Sequence, residues 1–145
     1  MSIQEHKRFD LAANQLKTAI KIFLTAEDYI SATTLAGAAD VIFCELVKRQ
    51  GKDNFTDCLL KNEKSSFTRQ SIGKEVNTTL GINALKHFDP EDSEYISLNI
   101  GECAVGSILK AIVNYKILNI EYDISIQGFL IWCEINLDKN KYKLL

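Results

Sequence analysis

Proline occurs once in this 145-residue chain, at Pro90, and histidine twice, at His6 and His87. There is no Gly-rich phosphate loop, no Gly-x-Ser-x-Gly turn and no His-Glu-x-x-His pair. Hydrolase and nucleotide-loop mechanisms that rest on those local signals are therefore unsupported, and no cofactor is expected. The four cysteines, Cys44, Cys58, Cys103 and Cys133, form no Cys-x-x-Cys pair, and three of them sit in apolar runs where cysteine behaves as a small hydrophobe. That usage reads as a reduced, cytoplasmic protein. No run approaches the ~20 apolar residues of a membrane span, and the charged N-terminus has no apolar stretch behind it. The expectation is a soluble chain with no membrane partner. A net charge of −2 argues against general affinity for nucleic-acid backbone, although a local basic patch stays open.

What is present is helical periodicity along the whole length, so residues 1–145 read as one all-α domain, a bundle of about five main helices in up-down hairpins. Apolar residues recur at spacings of three and four over residues 5–26, from Phe9 through Leu16 and Ile20 to Leu24. Asp28 is placed to cap a second helix over residues 29–50, and Gly51 to end it. The first half of that helix, residues 31–39, is poor in bulk and predicts close packing against a helix of the same chain or a second subunit. A short helix fits residues 53–62. A long one fits residues 67–88, with Ser65 or Ser66 as cap and Gly81 marking a kink. An acidic connector, residues 89–94, leads to an extended piece and a core helix from Ile100 to about Asn119. A last helix runs over residues 124–137, with a charged tail after it. Residues 117–126 alternate enough for a strand, but a lone strand has no partner.

One stretch calls for explanation. At about 100° per residue, Ile72, Val76, Leu80, Asn83 and His87 share an arc of roughly 80°, so an amide and an imidazole continue an apolar stripe. Such a pair is either hydrogen-bonded in the interior or opens into a site. The plain reading of His87 is a helix-end histidine that complements the last carbonyls. Metal binding through His87, Asp89 and Asp92, with His6 or Glu102 from elsewhere, is disfavoured by spacing, because bundle sites draw on Glu-x-x-His.

The hairpin with its stretch SATTLAGAADVIFCELVKRQG, followed by Ile82-Asn83-Ala84-Leu85-Lys86-His87, resembles HEPN domains (higher eukaryotes and prokaryotes nucleotide-binding), compact helical bundles of about this length. The second stretch is similar in place to their Arg-polar-x-x-x-His motif. It also resembles an Asn-x-x-Lys-His-x-Asp box of small bacterial proteins, here Asn83, Lys86, His87 and Asp89. In active members, the resemblance implies, paired Arg and His from two subunits cut RNA without metal. Ile82 stands where the arginine is expected and offers no charge to a phosphoryl-transfer transition state. Arg69 lies about 20 Å further along a continuous helix at ~1.5 Å per residue, which leaves only Lys86 close by.

The resulting expectation is a homodimeric binding or regulatory module, non-catalytic or weakly active, that recognises a nucleotide, RNA or partner protein through Asn83, Lys86, His87 and Asp89. The rivals are a metal-independent ribonuclease or toxin using His87, and a structural or immunity-type helical protein.

Overall fold

The computed structural model describes residues 1–62, 69–121 and 123–138, and among them every regular element is an α-helix. The helices are α1 (Arg8–Ala26), α2 (Tyr29–Arg49), α3 (Phe55–Asn62), α4 (Arg69–Thr79), α5 (Ile82–Lys86), α6 (Ile100–Leu118) and α7 (Ile124–Asn136). The all-α expectation holds. The expected cap at Ser65 or Ser66, the tail beyond residue 138 and the side chains of Arg69 and Ile72 lie outside the described residues.

The α1/α2 hairpin turns in two residues. Glu27 takes a left-handed conformation (φ 52°), and the Asp28 carboxylate accepts the Ser31 N–H at 3.0 Å, capping α2. At the other end Gly51 (φ 68°) donates to Lys48 O and Lys52 to Val47 O, the paired bonds of a Schellman stop. Asp123 caps α7 through the Ser125 N–H at 2.8 Å and holds the Lys17 ammonium at 2.9 Å, tying α1 to α7. Burial pushes the Asp123 carboxyl up, but the hydrogen bonds from Lys17 and Ser125 outweigh it and leave the group below its usual value.

The core is one cluster in which α2 lies between α1 and α6. Phe9, Phe43 and Tyr115 pack at one end of it, and Phe23, Tyr29, Phe129 and Trp132 at the other, with ring centroids 4.8–6.1 Å apart within the two groups. Cys133 is inside this cluster, where burial lifts its thiol to about 11. By length and composition α2 would suffice to cross a membrane, contrary to the sequence expectation. Its apolar faces are instead spent on α1 and α6, and it carries a buried aspartate, Asp40.

The long helix expected over residues 67–88 is two helices. Gly81 at φ 71° breaks it, and Leu80 and Ile82 on either side lean into two glycine notches. A Cβ at Gly106 would lie 2.4 Å from Leu80 Cδ2, and one at Gly37 would lie 3.0 Å from Ile82 Cγ2. The small-residue half of α2 therefore receives α5 of the same chain. The break also ends the stripe that ran to His87, because the phase of one continuous helix does not carry through a left-handed residue.

Candidate functional site

The box from residue 83 onward sits on α5 and the strand-like backbone after it. Asn83 is half-buried and its Nδ2 donates to Thr78 Oγ1 at 3.3 Å, so the amide turns back to α4 and not to the imidazole. His87 closes α5 through its backbone, its N–H donating to Asn83 O at 3.0 Å, while its ring is exposed. Lys86 is exposed beside it. Asp89 is exposed too, and its backbone N–H donates to Asp92 Oδ2 at 2.8 Å, which folds the acidic connector onto itself. Lys86, His87 and Asp89 are thus exposed in succession at the end of α5, while the Asn83 amide faces α4. His6 is exposed at the other end of the sequence, and among the described residues no three His, Cys, Asp or Glu side chains converge as a metal set. Ile82 is 3% exposed, so the residue in the place of the expected arginine points into the bundle.

A second constellation is more deeply built. On α2, Asp40 is 3% exposed. On α6, Lys110 is 5% exposed and Asn114 fully buried. The Lys110 ammonium donates to Asp40 Oδ2, and Asn114 Nδ2 donates to Asp40 Oδ1 at 2.6 Å and reaches Cys44 Sγ at 3.2 Å. Both carboxylate oxygens are therefore engaged, which is the condition for keeping a charge in a helical core. Asn114 Oδ1 accepts the Phe55 N–H at 2.8 Å and so anchors the start of α3. There Asn54 and Asp57 satisfy each other reciprocally, each side chain accepting the other's backbone N–H at 3.0 Å. Lys110 also reaches Asn77 Oδ1 on α4 at 3.4 Å.

This network forms the floor of a cleft of about 480 Å³. Helix α2 contributes Asp40, Val41, Cys44, Glu45 and Lys48; α4 contributes Lys74 and Asn77; α6 contributes Lys110; Asn54 and Thr56 come from the start of α3. The size suits a small ligand, and the walls converge several fixed polar groups on one space. These residues are absent from the sequence-based site, although the sequence carries a signal for them. Asp40 stands at the core phase of α2, four residues after Ala36 and three before Phe43, and Cys103, Ser107, Lys110 and Asn114 make a 4-3-4 stripe in a helix buried nearly all round.

Neither a family model, nor a curated protein, nor a solved structure matches the chain.

Proposed function

We propose that this chain is a HEPN-like binding module, without covalent chemistry of its own, that seats a nucleotide or an RNA end in the cleft between α2, α3, α4 and α6. The observation that carries the reading is the Asp40–Lys110–Asn114 network. A buried ion pair that served only to join two helices has no need of an open cleft beside it, and here both members of the pair line one. A reduced, cytoplasmic setting fits the four cysteines, none of which is in a disulfide. The exposed stripe of Ile124, Ile131 and Ile135 along α7 supports a second copy as partner. Light scattering at several concentrations checks this, and a monomer throughout removes the dimer.

Titration of the labelled protein with mononucleotides and a short RNA, followed by amide NMR, tests the site. Shifts are expected around Asn54, residues 74–77 and Lys110. Shifts gathered instead at residues 86–89 move the site to α5, and a spectrum unchanged by every ligand retires the reading.

The second reading, a metal-independent ribonuclease at His87, is favoured by one observation: the imidazole and the Lys86 ammonium are both open to solvent at the end of α5. Because His87 is exposed, His87→Ala should stay within about 0.5 kcal/mol of the parent in stability. Any RNA cleavage in metal-free buffer that vanishes in this variant is then a loss of chemistry and not of folding. Absence of His87-dependent cleavage removes the nuclease.

A further inference from the structure

The hydrogen-bonding capacity of the cleft does not balance, and the imbalance has a sign. An ammonium has three N–H donors. Lys110 gives one to Asp40 and directs another to Asn77 Oδ1, which leaves a third. The carboxamides of Asn54 and Asn77 are each oriented by a donor on their oxygen, the Asp57 N–H on Asn54 Oδ1 and the Lys110 ammonium on Asn77 Oδ1. Their Nδ2 groups are left over, with no partner among the described residues, and Asn54 is 1% exposed. Lys48 on α2 and Lys74 on α4 line opposite walls, and neither ammonium has a partner among the described residues.

The carboxylates of the cleft, in contrast, are already engaged. Both Asp40 oxygens are taken, by Lys110 and Asn114, and Glu45 holds Arg49 at 3.2 Å. What remains is a set of donors and two unmatched positive charges around one space. Donors and cations that line one cleft without acceptors of their own are complemented by a ligand that carries several acceptors and a negative charge. We infer that the cleft is an anion site for a phosphate or pyrophosphate group, free or carried on a small molecule, with Lys48 and Lys74 as charge contacts and Asn54 and Asn77 as amide donors. This rests on the reading that the ligand seats in this cleft.

Calorimetric titration of the full chain with inorganic pyrophosphate, ATP and adenosine tests it. Saturable binding of pyrophosphate or ATP that weakens with added salt is expected. Lys48→Ala and Lys74→Ala change exposed side chains, so the fold should persist while affinity falls about tenfold or more in each. ATP binding more tightly than pyrophosphate assigns the group to a nucleotide, and equal affinities assign it to the free anion. Adenosine binding as tightly as ATP, with cleft amides shifting, overturns the anion assignment and leaves the binding module standing. Failure of both pyrophosphate and ATP to bind, or affinities unchanged in the double lysine variant, also overturns it.

Discussion

Lys110→Met should lower the free energy of unfolding by about 3–5 kcal/mol, because it leaves the Asp40 carboxylate buried beside a thioether, with the Asn114 amide and the weak Cys44 thiol donor but no cation to offset its charge. The penalty belongs to the orphaned charge more than to the lost attraction. The double variant Asp40→Leu/Lys110→Met should therefore recover much of the loss, giving a coupling of about 2 kcal/mol or more in the cycle. Urea denaturation of the parent, the two single variants and the double variant measures this. Additive losses would mean that the two side chains do not act as a pair. The same double variant removes the floor of the cleft, so it should also abolish any ligand response even where stability is restored. Stability and binding can thus be separated in one set of proteins.

Ile82→Arg should be the second large effect, a loss of about 3 kcal/mol or more. If the chain is HEPN-like as proposed, this substitution is the obvious repair of the motif, yet the structure places Ile82 against the notch at Gly37, 3% exposed. A guanidinium there exchanges a well-packed side chain for an unpaired buried charge. Ile82→Val, which removes one methyl group, should cost only about 0.5–1.5 kcal/mol and serves as the packing control. If the arginine variant unfolds within about 1 kcal/mol of the parent, the side chain has found solvent. The motif position is then available to chemistry after all. If it is strongly destabilised, the departure from the Arg-polar-x-x-x-His pattern is built into the packing of α5 on α2.

The helices were legible where local signals act alone. Asp28 and Gly51 announce the ends of α2 through capping chemistry, and Ala32, Ala36, Ala39, Phe43 and Val47 announce its buried face through spacing. Ile100 and Leu24 were expected on the core side, but both are exposed, since a position near a helix end meets the bundle only if a neighbour extends that far. The division of residues 67–88 was half legible. Gly81 raised the suspicion of a kink, but a complete break depends on Leu80 and Ile82 entering notches on α6 and α2, which are distant in sequence. The cleft was not read because its meaning lies in a pairing across 70 residues. Asp40 and Lys110 each look like an isolated charge in a greasy helix until the fold sets them together. His87 stands out because, on one continuous helix, it would extend an apolar stripe, and the left-handed turn at Gly81 removes that continuity.

That separation also bears on how the protein comes into being. At about 5–20 residues per second a ribosome needs roughly 4–14 s to travel from codon 40 to codon 110. Until that interval ends, the 21-residue α2 lacks α6 on one side, and its Asp40 carboxylate awaits its counter-ion. The centre of the molecule consequently assembles late in synthesis, and holding factors that shelter greasy segments at the exit tunnel have their longest task here.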